Sequence, residues 1–292
     1  VIGEAVVPVA GLGTRLLPAT KAQPKEMLPV GTKPVVQHVV EELAAAGVTR
    51  VIFVTGRGKG AIEDHFDPDP ALVELLRRAG KEELLARLDF ERLGITFAYV
   101  RQPRPLGLGD AVRCAGPVLG SRPFLLALGD SILTGAGAPP LAARLAAAVE
   151  RGASCAVAVE PVATESVGSY GIAVPRGEAG AESFELAGLV EKPDPATAPS
   201  TLAVAGRYAL GPRILAALED VDPGHGGEVQ LTDAIAALIE AGERVVAVPL
   251  VSGERRLDTG TPAAYAAAFV ELALADPQLA PALQARLEEL GR

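Results

Sequence analysis

The chain has 292 residues, 49% of them hydrophobic and 22% charged, a composition that fits a chain with a sizeable buried core and excludes a disordered or peptide-sized scaffold. Its 27 Lys and Arg against 36 Asp and Glu leave a net charge of −9, the wrong sign for non-specific binding to nucleic acid or to an anionic membrane. The apolar runs are short, and the longest, LAARLAAAV at 141–149, is interrupted by charge, so no membrane span is expected.

Short β-branched runs alternate with helical patterns through the first half, the signature of βαβ units stacked into a mostly parallel sheet. Strands are expected at Ala5–Ala10, Val51–Thr55, Ile95–Val100, Phe124–Leu128 and Ala156–Glu160. Between the first two, Pro34 opens a helix whose apolar stripe is Val36, Val39, Val40 and Leu43, and Gly47 closes it, which makes the segment a crossover helix. Residues 69–93 read as a charged helical hairpin broken near Gly80 and packed on the surface. In the second half strands are expected at Gly171–Val174, Leu186–Val190, Leu202–Leu210 and Val245–Leu250, with helices at 212–219, 231–241, 262–275 and 279–290. Thr261 before Pro262 supplies an N-cap followed by a residue whose missing N–H is not needed there. The fold class is therefore α/β, a Rossmann-like mixed and mostly parallel central sheet flanked by helices. One continuous domain over residues 1–292 is expected. Cys114 and Cys155 stand far apart and the three His are scattered, which argues against a disulfide framework and against a His/Cys metal site. Both cysteines read as core fillers. The opening segment VIGEAVVPVAGLGTR has neither a basic n-region nor an A-x-A cleavage site, so the expected location is the cytoplasm.

The chemistry is written first where the opening strand ends, in Ala10-Gly11-Leu12-Gly13-Thr14-Arg15, followed by Pro24-Lys25-Glu26-Met27. Two glycines at a strand's carboxyl end admit a ligand close to the backbone, and successive N–H groups there cradle an anion. Leu16 stands where a dinucleotide fingerprint needs Gly, and no G-K-[ST] follows, so neither the Rossmann nor the P-loop motif is present. Arg15, Lys21, Lys25 and Lys33 face a single acid, Glu26, in a chain that is acidic overall; positive charge is concentrated at this corner. Asp130 follows the apolar strand FLLALG, where open α/β sheets place ligands, and an acid there suits Mg²⁺, which is bound by carboxylates together with substrate phosphates. Taken alone, Asp130 is equally a turn residue, Asp258 a cap on the turn before the Thr261 helix, and Glu191-Lys192-Pro193 a surface corner.

The corner string resembles the signature of the sugar-1-phosphate nucleotidyltransferases, G-x-G-T-R followed by P-K, and AGLGTRLLPATKAQPKEMLPV is similar to the uridylyltransferase branch of that family. The likeness continues through VTGRGKGAIEDHFD, VRQPRPLGLGDAV, LALGDSIL, SYGIA, VEKP, GRYAL, GGEVQLTDAI and LDTGT. It implies transfer of UMP from UTP to α-D-glucose 1-phosphate, with UDP-glucose and pyrophosphate as products, Mg²⁺ as cofactor and a homodimeric or homotetrameric assembly. Residues 1–135 would mainly bind the nucleotide, and residues 136–292 would mainly bind the sugar phosphate and add C-terminal helices. By resemblance Ala10, Gly11, Gly13, Thr14, Arg15, Lys25, Glu26, Gln102 and Gly107 contact the nucleotide, and Gln102 and Gly107 read the uracil. An amide can meet both a donor and an acceptor on a pyrimidine edge. Gly171 leaves room for the hexose, Glu191 binds its hydroxyls and Lys192 its phosphate. Arg15, Lys25, Asp130 and Lys192 carry catalysis, and Asp130 and Asp258 the metal. The chain departs from the branch at Leu106, where Lys is usual, at Asp110, where His is usual, and at Ser131. These departures motivate a second reading, a non-catalytic regulatory paralogue that binds UTP or UDP-glucose. The LDTGT string motivates a third, the same transfer from dTTP or to another sugar 1-phosphate.

Overall fold

A computed structural model describes residues 2–135, 139–180 and 182–291. The strands in chain order are β1 (Glu4–Pro8), β2 (Pro29–Val30), β3 (Lys33–Pro34), β4 (Arg50–Thr55), β5 (Thr96–Arg101), β6 (Phe124–Ala127) and β7 (Ser131–Thr134) in the first half. They are followed by β8 (Cys155–Pro161), β9 (Gly171–Pro175), β10 (Phe184–Glu191), β11 (Leu202–Leu210), β12 (Val245–Pro249) and β13 (Arg255–Asp258). The helices are α1 (Val35–Ala45), α2 (Gly60–Phe66), α3 (Pro70–Arg78), α4 (Glu82–Ala86), α5 (Leu108–Leu119), α6 (Leu141–Glu150), α7 (Arg213–Glu219), α8 (Leu231–Glu240), α9 (Pro262–Ala275) and α10 (Ala280–Glu289).

Among the described residues a nine-stranded sheet runs in the order β5-β4-β1-β6-β11-β8-β12-β10-β9. Parallel pairing holds through β5-β4-β1-β6, as the βαβ pattern predicts. Beyond β6, β11 enters antiparallel to both β6 and β8, and β8 with β12 restores one parallel pair. The sheet is mixed, and the expected parallel majority belongs to its first half. The reason is local: β8 to β11 follow one another without the α-helical crossovers that parallel neighbours require, while α7 and α8 precede β12, which returns parallel to β8.

Both faces of the sheet are covered, so its central strands are apolar on alternate sides. In β1, Val6 joins one core with α5, α7 and α8, while Ala5 and Val7 join the other with α1 and α6. The α1 stripe of Val36, Val39, Val40 and Leu43 is fully buried. The Ala/Leu run at 141–149 is α6, an amphipathic crossover rather than an independent segment. Cys155 lies in the core, where burial pushes its thiol up to about 12, and Cys114 packs on its margin. The 69–93 hairpin is present as α3 and α4, turned at Gly80, and neither helix buries a residue; it is anchored at its far end by Phe90, which stacks on His65 at 4.8 Å.

A third layer positions the site. β7 and β13 form an antiparallel ribbon with Asp258 opposite Ser131, and β2 and β3 form a second one. The inner face of α9 packs on both, through a small core of Val30, Val35, Ile132, Leu257 and Ala268. Thr261 caps α9 by accepting from Ala264 N at 3.2 Å, and Tyr265 donates its hydroxyl to Pro29 O at 2.6 Å. Sequence patterning missed both ribbons because two- to four-residue strands carry no usable period.

The turn between β6 and β7 is pinned from below by Arg207 of β11, which is 1% exposed. Its guanidinium donates to Ser131 O at 2.8 Å and to Gly206 O at 3.1 Å, and is held by Glu42 of α1 at 2.7 Å. Gly206 sits at φ +71 in a bulge of β11 and its carbonyl also accepts from Leu128 N at 3.1 Å. Arg207→Met strands the Glu42 carboxylate and removes the donors to Ser131 O and Gly206 O, and the expected loss is about 3–5 kcal/mol of unfolding free energy by urea titration.

Candidate functional site

A cavity of about 430 Å³ opens at the carboxyl ends of β5, β1 and β6. The sheet order sets its length: Gln102 follows β5 at one end, Ala10 and Gly11 follow β1, and Asp130 follows β6. At the far end Gly171 begins β9 and Glu191 closes β10, in register with each other. β9 also pairs with β11 through Ile172 and Ala203, which brings that end back beside β6. Of the residues expected from sequence, Ala10, Gly11, Arg15, Lys25, Glu26, Gln102, Gly107, Asp130, Gly171, Glu191 and Lys192 line this one cavity. Gly13, Thr14 and Asp258 do not. Gly13, at φ +67, instead shapes the loop: its carbonyl accepts from the Thr20 hydroxyl at 2.7 Å and from Leu16 N at 3.0 Å.

Charge is gathered at the middle of the cavity. The Lys25 ammonium pairs with the Asp130 carboxylate, and Arg15 lies against the 258–260 turn, where a Cβ on Gly260 would sit 3.0 Å from its Nη2. Burial opposes the charge on both members of the pair. Even so, the carboxylates of Asp130 and Glu26 hold Lys25 above the ordinary lysine range, and the Lys25 ammonium, with Arg15 behind it, holds Asp130 below the ordinary aspartate range. Glu26 is 1% exposed and pairs at 2.8 Å with Lys59, which is 5% exposed. Burial pushes the Glu26 carboxyl up, with Lys59 and Lys25 opposing. Sequence reasoning missed Lys59; its only signal is one cation in a Gly-rich turn, which looks solvated until the fold covers it.

Two glycines serve close packing. Gly107 has φ +100, and a Cβ there would meet Val229 O at 2.7 Å. The loop is stitched to the 228–230 segment by Val229 N to Leu106 O at 2.8 Å and Gly109 N to Val229 O at 2.9 Å, so 228–230 forms a wall behind it. A Cβ on Gly171 would meet Thr232 Cγ2 at 2.7 Å and Glu191 Oε2 at 3.3 Å. The missing side chain therefore makes room for Thr232, whose hydroxyl donates to Glu191 Oε2 at 2.9 Å. Lys192 is held at φ 43, in the left-handed region rarely used by side-chain-bearing residues. Its ammonium lies 3.2 Å from Glu191 Oε1.

No group of three or more His, Cys, Asp or Glu suited to a metal occurs among the described residues. That does not conflict with Mg²⁺, which in phosphate sites takes one or two carboxylates and completes its shell with phosphate oxygens and water. The Asp130 carboxylate, 23% exposed in the cavity wall, fits that donor set. Asp258 uses Oδ1 to accept from Gly260 N at 2.6 Å, so it caps the turn as well as facing the β7 end of the ribbon.

The family model for nucleotidyl transferases matches residues 4–274. The UTP–glucose-1-phosphate uridylyltransferase 1 of Streptococcus pyogenes serotype M1 is 42% identical over 293 aligned positions, covering 100% of this chain and 95% of that protein. Among solved structures, a UTP-bound UGPase from Acinetobacter baumannii superposes with a TM-score of 0.89 at 36% identity, over 99% of this chain and 100% of that one. A UDP-glucose pyrophosphorylase complexed with UDP-glucose gives 0.85 at 34% identity, over 94% and 100%.

The Lys25–Asp130 pair has a pH signature. Asp130, with its lowered value, contributes stability above the ordinary aspartate range near about 4 and loses it as pH falls through that lowered value, because there the unfolded chain binds more protons. Lys25, with its raised value, contributes below about 10.4 and loses that contribution as pH rises through it. Urea midpoints followed from about pH 5 down to about pH 2 should fall more steeply for the wild type than for Lys25→Met; equal slopes would mean that the pair does not couple to folding.

Proposed function

The chain belongs to the nucleotidyl transferase family, and within it we propose that the protein transfers UMP from UTP to α-D-glucose 1-phosphate, giving UDP-glucose and pyrophosphate. The observation that carries this reading is the order of chemistry along one cavity: an amide end at Gln102, a charged centre at Arg15, Lys25 and Asp130, and a hydroxyl-binding end at Glu191 and Lys192. That order matches base, triphosphate and sugar phosphate laid end to end. It also divides the labour, with residues up to 135 serving the nucleotide and the later residues Gly171, Glu191 and Lys192 serving the sugar phosphate.

The attacking oxygen belongs to the sugar phosphate and is already anionic, so no protein base or covalent intermediate is required. It displaces pyrophosphate in line at the α-phosphorus of UTP: the new P–O bond forms as the bond to the β-phosphate oxygen breaks. The obstacle is repulsion between two polyanions, and the residues answer it by position and charge. Lys25 exchanges its Asp130 partner for phosphate oxygens of the nucleotide, and Arg15 covers the departing pyrophosphate. Lys192, fixed by its backbone at the sugar end, orients the attacking phosphate. Glu191, steadied by Thr232, accepts from sugar hydroxyls, for which a carboxylate is the natural partner. Ala10 and Gly11 supply backbone contacts to the nucleoside, while Glu26 and its partner Lys59 form the floor beside them. Asp130, with Asp258 opposite Ser131 on the β7–β13 ribbon, would hold Mg²⁺, which would supply positive charge to offset that of the phosphates.

Pyrophosphate release with glucose 1-phosphate and Mg²⁺, run in parallel with UTP and dTTP and repeated with EDTA, tests the reading. Metal-dependent turnover that prefers UTP is expected; preference for dTTP would move the protein to the thymidylyl activity, and UTP binding without turnover would make it a regulatory paralogue. Lys25→Ala should lower kcat by roughly 10²-fold, the cost of one transition-state donor, and an unchanged kcat would remove it from the mechanism. Asp130→Asn should blunt the dependence of rate on Mg²⁺ concentration, whereas a wild-type metal titration would relocate the metal.

A further inference from the structure

Gln102 lines the end of the cavity away from Arg15 and Lys25, and Asp110 meets it from outside the lining; both are 6% exposed. Gln102 Nε2 donates to Gly107 O at 3.1 Å and to Asp110 Oδ2 at 2.7 Å. The other Asp110 oxygen, Oδ1, accepts from Arg113 Nη2 at 2.7 Å, one turn along α5. Neither partner of Nε2 has a proton to give: one is a backbone carbonyl, the other a carboxylate held by a guanidinium. The amide therefore cannot turn over without setting its oxygen against two acceptors. With both amide hydrogens engaged, what Gln102 offers a ligand is Oε1, an acceptor only.

That narrows what the end of the cavity can read. We propose that Asp110, locked by Arg113, is a positioning residue: it fixes Gln102 as an acceptor and makes this end select a pyrimidine with a ring N3–H, uracil or thymine, over the 4-aminopyrimidine of CTP. The proposal rests on reading the cavity as a nucleoside triphosphate site. Uracil and thymine place the N3 proton on the acceptor, whereas cytosine sets an unprotonated N3 lone pair against it. A site built round one such hydrogen bond rejects the analogue lacking it, because the protein group is left unpaired.

The test is equilibrium binding of UTP and of CTP, by calorimetry with Mg²⁺, to the wild type, Asp110→Asn, the double variant Asp110→Asn/Arg113→Ala, and Gln102→Met. Asn has one oxygen where Asp has two. Arg113 claims that oxygen, and the Asn amide nitrogen then faces Gln102, which loses its fixed sense. The wild type should bind UTP more tightly than CTP by about tenfold or more, and Asp110→Asn should reduce the ratio to within about threefold. With Arg113 truncated, the Asn oxygen is free to face Gln102, and the double variant should recover most of the preference, which loss of packing alone would not allow. Gln102→Met removes the acceptor without touching Asp110 and should bring the ratio close to one. The proposal is overturned if the wild type binds CTP as well as UTP, if Asp110→Asn or Gln102→Met keeps the wild-type ratio, or if the double variant is no more selective than the single one. Pyrophosphate release measured on the same wild-type protein separates the two readings: a UTP preference in binding with no turnover sinks the transferase and supports the amide relay.

Discussion

One buried guanidinium holds the centre of the molecule together. Arg207 lies on β11, the strand that enters the sheet antiparallel beside β6, and donates into the β6–β7 turn that carries Asp130. Its charge is balanced by Glu42 on α1, across the sheet from the cavity. A buried cation with a paired carboxylate is costly to desolvate, and well-packed apolar residues can do as well for stability. What an apolar side chain does not provide is a set of directed donors. Here they fix the Ser131 carbonyl, next in the chain after Asp130, and the Gly206 carbonyl of β11, and so hold the main chain that carries the carboxylate. The strand order, with β11 between β6 and β8, is what makes Arg207 central.

The same turn meets the N-terminal loop through Lys25, and the loop is held at its far end by α9 through Tyr265 and the Val30 cluster. The charged centre is therefore braced on both sides by elements distant in sequence. On the proposed function, such bracing matters because the site would accept two polyanions. Its cations have to be present before the ligand arrives, close enough to one another to repel, and the Asp130 and Glu26 carboxylates keep them there. In the proposed mechanism the Lys25–Asp130 pair is a resting state, in which each group neutralises the other until phosphate oxygens compete for the ammonium.

How much of this was visible in the sequence follows from the range of each signal. Strands and helices of five or more residues carry a period, and β11, α1 and α9 fall where the pattern puts them. The corner residues were legible because Gly11, Arg15 and Lys25 are close in sequence and chemically unusual together. Gln102, Asp130 and Glu191 required the resemblance, since each alone is an ordinary turn residue. Partners chosen by packing left no trace: Lys59 for Glu26, Thr232 for Glu191, and the 228–230 wall behind Gly107. In each the residues lie in separate elements, and only the fold reveals that one limits the other. Asp258 is the converse case, a clear motif whose carboxylate also has a structural task, since its Oδ1 caps Gly260 N.

The three departures from the uridylyltransferase pattern bear on the regulatory alternative, and the structure gives each a local account. Leu106 contributes its carbonyl, which accepts from Val229 N, and a backbone contact of that kind is indifferent to the side chain. Ser131 presents its carbonyl to Arg207, while its buried hydroxyl finds no partner among the described residues; the residue serves the turn through the main chain. Asp110 stands within an ion pair with Arg113 and turns its second oxygen to Gln102. A paralogue relieved of catalysis is free to lose the geometry around its altered positions. In this chain each altered position is hydrogen-bonded to a neighbouring element, and the groups proposed to act on phosphate, Arg15, Lys25, Asp130 and Lys192, are all still gathered in the cavity. The departures thus argue for a changed way of holding the nucleotide end, not for abandonment of the chemistry at the centre.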